Sequence, residues 1–167
     1  MELRTNSISF LFRFSMLSRH VPRKMCIIMF AVKNSTFSMS KKYELFPSVN
    51  VLGEELKPCG NNPVTGFFRD GLCNTCTEDL GSHTVCVEVS NGFLEYSKEA
   101  GNDLSTPIQL ARFPGLTQGD RWCLCAGRWL EAYKEGKAPK IFLENTHIDA
   151  TKIIPLELLE EFAVQIN

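Results

Sequence analysis

The stretch Gly81 to Gly101, GSHTVCVEVSNGFLEYSKEAG, decides how the chain reads as a fold. From His83 to Ser90 the residues alternate, with Val85, Val87 and Val89 on one side and Thr84, Cys86 and Glu88 on the other, the period-two signature of a half-buried strand. Asn91 then stands where a helix cap is wanted. Phe93, Leu94 and Ser97 share a face, and Gly101 suits the left-handed residue that closes a helix. A strand running straight into a short helix over 92–100 is the nucleus from which the rest is placed.

Downstream, residues 102–118 form a loop with Pro107, Pro114 and Gly115. Asp120 can cap a helix whose Trp122, Ala126, Trp129, Leu130 and Tyr133 make one apolar stripe, ended by Gly136 and Pro139. Ile141 to Leu143 reads as a buried strand, and Thr146 with Asp149 has the spacing of a capping box. Pro155 opens a last helix bearing Leu156, Leu159, Phe162 and Ala163. Upstream, Val49 to Leu56 suits a short strand, and 57–71 is so dense in Pro, Gly and Asn that an ordered loop is expected. The order predicts an α+β fold, a small sheet packed by three or four helices, with long ordered loops.

The 167 residues carry a formal charge of −1, which hides a split. Residues 1–42 hold eight Lys or Arg against one acid, whereas 43–167 hold ten against eighteen. The first part is rich in Arg, Ser and Phe, and it has neither helical stripe nor strand alternation. It reads as a transit peptide to a mitochondrial matrix or other organelle. Equally open is a disordered tail or an over-extended start, with Met39 beginning a cytoplasmic protein. Residues 43–167 are expected to be one soluble domain. Its acidic balance argues against nucleic-acid binding, since no basic stripe can neutralise phosphates. The longest apolar run, Met25 to Val32, is far below the roughly 18 residues of a membrane-spanning helix.

Six of the seven Cys fall in the expected domain. A matrix or cytosolic address would keep them reduced, as thiols or metal ligands. Cys73-Asn-Thr-Cys76 has the gap of a zinc knuckle, but Cys123-Leu-Cys125 has one residue too few to be its mate. Cys123, beside Arg121 and three residues after Asp120, could be an activated thiol at a helix start. Equally, it could be a small core residue in an apolar run. A second group gathers at element ends: Arg69 and Asp70 in a glycine-rich turn, His83 at a strand entrance, Asn102 and Asp103 after a helix, and Asp120 with Arg121. A His near carboxylates suits acid–base work and Arg suits anions, although the aspartates could equally be turn caps. Signature loops of hydrolases, nucleotide enzymes and zincins do not occur in the sequence.

The strings Asn50-Val-Leu-Gly53, Pro63-Val-Thr-Gly-Phe-Phe-Arg-Asp-Gly71, Gly81-Ser-His-Thr-Val-Cys86, Gly101-Asn-Asp-Leu-Ser-Thr-Pro107 and Gly119-Asp-Arg-Trp-Cys-Leu-Cys125 occur in order. On these the chain resembles a bacterial domain of unknown function, number twenty-two thirty-seven, from about Asn50 to Val164. The resemblance implies a small single domain and no activity. It places Cys59, Cys73, Cys86, Cys123 and Cys125 on cysteine positions of the family pattern, and Cys76 on a position where that pattern commonly has Gly, which weakens the knuckle.

Together these readings give the expectation of a small polar or anionic ligand bound in one pocket. Its acid–base or thiol residues would be His83, Asp103 and Cys123, and its binding residues Arg69, Asp70, Asn102, Asp120 and Arg121. Two rivals stand beside it: a module in which Cys59, Cys73 and Cys86 hold zinc, and an interaction domain whose cysteines are structural.

Overall fold

A computed structural model describes residues 45–165. The reading of 1–42 as a leader lies outside them. Three strands form one antiparallel sheet: β1 Val85–Glu88 in the centre, β2 Arg121–Leu124 on one side and β3 Lys140–Ile141 on the other. Three α-helices accompany it among the described residues, α1 Asn91–Glu99, α2 Ala126–Lys134 and α3 Leu156–Glu161. The architecture is α+β.

The alternation in β1 divides the interior. Val85 and Val87 face the main core, where they stand opposite Leu124 and Trp122 of β2, and Val87 also opposite Ile141 of β3. On the other face Cys86 stands opposite Cys123, and both join Cys59, Cys73 and Phe142 in a second, smaller cluster. Glu88, last on that face, pairs across the sheet with Arg121 and Lys140, an opposite-charge arrangement that favours this register. The sheet is therefore a wall with aliphatic core on one side and sulfur on the other.

The chain from 119 to 125 departs from expectation. Residues 121–124 are strand, and the helix begins only at Ala126. A run such as Trp-Cys-Leu-Cys satisfies both periods over four residues, so periodicity alone cannot separate them. Pairing decides: Gly119 N donates to Val89 O and Val89 N to Asp120 O, both at 2.9 Å, which carries the ladder past β1 and prevents a helical start. Asp120 instead closes a turn, its carboxylate accepting from Thr117 N at 2.7 Å. Elsewhere Val49–Leu56 forms a turn with two isolated bridges, Val49 to Glu55 and Asn50 to His147, and not a strand. Ser90 rather than Asn91 caps α1, its Oγ accepting from Phe93 N at 3.2 Å.

Thr146 does not cap the 3-10 turn Ile148–Lys152, because its hydroxyl is committed to Cys86 N and Phe142 O. His147 takes that place. Its Nδ1 accepts from Asp149 N at 3.1 Å and its Nε2 donates to Pro47 O at 2.9 Å. The ring is fully buried, and burial holds its pKa below the ordinary 6.5, outweighing the Pro47 hydrogen bond and Asp149, which act the other way. Below that value the unfolded chain binds a proton that the fold resists. Stability contributed by neutral His147 is thus present above pH 6.5 and falls as the pH drops through it. Thermal unfolding should show His147→Gln, though less stable, losing less between about pH 7.5 and about pH 5.5 than the parent loses.

Candidate functional site

The loop of residues 57–73 is ordered by its turn formers. Gly66 and Gly71 have φ of 91° and 84°, and a Cβ on either would strike Leu72 O or the Asn61 side chain. Between them Arg69, itself at φ 57°, folds back so that Nη1 donates to Val64 O at 2.7 Å. Its guanidinium lies 5.1 Å from the centre of the Trp122 ring. Burial pulls its pKa below the ordinary arginine range.

A second loop supplies His83 and Asp79. The Asp79 carboxylate is fully buried: Oδ1 meets His83 Nδ1 at 2.6 Å, and Oδ2 accepts from His83 N at 2.8 Å and Thr75 Oγ1 at 3.0 Å. Nδ1 is thus the ring nitrogen committed to Asp79, and Nε2 lies on the opposite edge of the ring. Gly81 is needed for this arrangement, since a Cβ there would approach His83 Cε1 to 2.8 Å and Cys125 Sγ to 3.2 Å.

Arg69 and His83 line one narrow cleft. Asn102 and Asp103, from the loop after α1, complete its polar rim, and Leu104, Ile108, Phe113, Trp122 and Leu124 are its apolar wall. Ile108 and Phe113 are held together by a reciprocal pair of backbone hydrogen bonds, at 2.8 and 3.1 Å.

The other expected site residues are placed differently. Asp103 reaches the cleft, but its oxygens accept from Ser105 N and Oγ and from Thr106 N and Oγ1, with Lys98 Nζ at 3.4 Å. Burial works to raise its pKa, yet the Thr106 and Ser105 hydrogen bonds outweigh it and hold the carboxyl below the usual range. Asp103 organises its own loop through these hydrogen bonds. Asp70 and Asp120 close turns at Leu72 N and Thr117 N. Arg121 lies with its guanidinium 3.7 Å from the Phe142 ring centre, on the sulfur face of the sheet. These three are not among the residues lining the cleft.

The cysteines also require correction. Cys59 is bonded to Cys86 and Cys73 to Cys123, so the expected reduced state does not describe them and Cys123 carries no thiol. Cys59, Cys73 and Cys86 do converge, their sulfurs within 4.8 Å of one another, but as disulfides they lack the thiolates that zinc requires. The Cys73/Cys76 knuckle does not form: Cys76 is free and buried, and burial pushes its thiol pKa up. The disulfide-bonded cysteines are structural, tying the 57–73 loop to β1 through Cys86 and to β2 through Cys123.

Sequence reasoning missed Asp79. Its spacing four residues before His83, around Gly81, was the available signal.

Residues 49–163 match a family model described as an uncharacterized protein conserved in bacteria, DUF2237. The chain belongs to this family. No curated protein matches it. The DUF2237 match spans both the cleft and the sulfur cluster and assigns neither a chemistry, so function has to be argued from the side chains. No helix among the described residues of this DUF2237 chain is long and apolar enough to cross a membrane.

Proposed function

We propose that the cleft binds a small organic anion, with its charged head between Arg69 and His83 and its apolar body on Trp122, Phe113 and Ile108. The observation that carries this reading is the Asp79–His83 pair in the wall of an apolar cleft that Arg69 also lines. A guanidinium that burial has partly stripped of water gains from a carboxylate, and its planar donors suit that geometry. The anion also favours the charged imidazolium, whose Nδ1–H is stabilised by Asp79. Binding should therefore take up a proton on His83 Nε2. The same proton can be returned to a bound group, which is the acid–base chemistry the site offers. The narrowness of the cleft and its aromatic wall favour a small aromatic or branched carboxylate. The single main apolar cluster supports reading 43–167 as one domain.

Calorimetric titration with phenylacetate, repeated in two buffers of different ionisation enthalpy, tests this. Binding with net proton uptake is expected, weakened about tenfold or more by Arg69→Gln and by Asp79→Asn, a loss of about 1.4 kcal/mol or more. Absence of binding, or binding indifferent to both substitutions, would overturn the reading.

A further inference from the structure

The Cys59–Cys86 and Cys73–Cys123 disulfides are neighbours in a way that tying down a loop does not require. Cys86 and Cys123 are directly opposed on adjacent antiparallel strands. The backbone N–H of each leaves the ladder, Cys86 N donating to Thr146 Oγ1 at 3.1 Å and Cys123 N to Thr65 Oγ1 at 2.7 Å. This is the non-hydrogen-bonded kind of cross-strand pair, in which side chains stand closest. Their partners Cys59 and Cys73 come from one loop folded over that pair, and the sulfurs of Cys59, Cys73 and Cys86 lie within 4.8 Å of one another with Cys123 bonded to Cys73. Tetrahedral zinc with thiolates at about 2.3 Å sets its sulfurs about 3.8 Å apart, so opening both bonds leaves three sulfurs near coordination distance, with Cys123 released beside Cys73 as the fourth.

The loop does not depend on the disulfides alone for its position. Cys59 N donates to Gly71 O at 2.8 Å, Lys57 N to Glu144 O at 3.0 Å and Asn145 Nδ2 to Pro58 O at 2.6 Å, while Thr65 ties the loop to β2. Four thiols would thus stay gathered in a site that is at most 2% exposed. Phe142 packs on the cluster, and the Arg121 guanidinium over its ring places a positive charge beside a site that becomes negative when loaded.

We propose that Cys59, Cys73, Cys86 and Cys123, once reduced, form a tetrathiolate site for a soft divalent cation such as zinc, and that the two disulfides are its oxidised, metal-free state. Each disulfide is reduced to two thiols either by a dithiol, which gives two electrons and two protons and leaves as a disulfide, or by a phosphine and one water, the phosphine giving the two electrons and leaving as its oxide with the oxygen of the water, whose two protons go to the thiols. The four thiols then bind one M²⁺ and release four protons. A two-electron oxidant used twice, such as a diazene becoming a hydrazine, removes the four electrons and takes four protons from solvent, restores both disulfides and expels the cation. The cysteines involved are not among the residues lining the cleft, so the site is independent of the anion-binding reading.

The test uses the full chain, reduced with a phosphine under argon and titrated with Co²⁺. Uptake of one cobalt in the tight phase is expected, with the thiolate charge-transfer absorption and tetrahedral ligand-field bands of a four-sulfur site. The oxidised chain should give none, and diamide should discharge the loaded site. Cys76→Ser should leave the titration unchanged, whereas Cys123→Ser and Cys59→Ser should each weaken it about tenfold or more. Because a single serine could disturb folding, circular dichroism of each reduced variant accompanies the titration. A reduced parent chain that takes up no cobalt, one whose uptake depends on Cys76 and not Cys123, or an oxidised chain that binds equally well would overturn the proposal.

Discussion

Replacing Cys73 and Cys123 together by Ala is expected to lower the unfolding free energy by about 4 kcal/mol. The bond closes a loop of sequence separation 50, and its removal restores that chain freedom to the unfolded state. The double replacement is the informative one, because a single substitution leaves a buried unpaired thiol and mixes two effects. For the Cys59–Cys86 pair, separation 27, the same reasoning gives about 3.6 kcal/mol. In a thermal melt the first loss corresponds to a drop on the order of 15 °C. A drop of only a few degrees would mean that Thr65, Gly71 and Asn145 hold the loop almost unaided.

Trp129→Ala should cost a comparable amount, about 3–5 kcal/mol, by a different mechanism. The indole is fully buried beneath α2, parallel to the Tyr133 ring at 5.8 Å and edge-on to Phe162 at 5.2 Å, so it joins the second helix to the end of the third. Its Nε1 donates to Pro139 O at 3.0 Å. Truncation leaves a cavity that the short helices cannot collapse into, and it strands a buried carbonyl. Trp129→Phe separates the two contributions, since it retains most of the volume and loses only the hydrogen bond, at about 1–2 kcal/mol. Denaturant unfolding of the three proteins measures both differences.

The sequence made β1 legible because its alternation is backed by β-branched residues, and α1 because Gly101 marks its end. It could not separate strand from helix in Trp122–Cys125, where the deciding hydrogen bonds come from Val89, thirty-odd residues away in the chain. Half-buried turn segments such as 49–56 carry enough Val and Leu to pass for a strand. Only the side chain of Asn50, bonding Leu52 N, Glu54 N, Glu55 O and Glu144 O, shows that the segment is a closed turn. Turn density did reveal that 57–71 is ordered, but not which cysteines it brings together. Four cysteines allow three pairings, and the choice depends on Cys86 and Cys123 meeting across the sheet.

The polar set was legible as a set and not as a site. Arg69, His83, Asn102 and Asp103 reach one cleft, while Asp70, Asp120 and Arg121 have the same chemistry but are engaged elsewhere, the aspartates by turn amides and the arginine over an aromatic ring. A residue list weighs all seven alike. The group that orients the histidine, Asp79, lies among ordinary turn residues, where its spacing from His83 is a weak signal that the 2.6 Å contact makes plain.

The most direct test of the cleft as the binding site is to locate a bound anion by intermolecular NOEs between phenylacetate and selectively methyl-labelled protein. Contacts from the ring protons to Ile108, Leu104 and the Trp122 indole are expected, with the His83 Nε2 resonance moving to its protonated position on saturation. Contacts confined to other surfaces, or a His83 ring that does not change, would contradict the assignment of the cleft as an anion site.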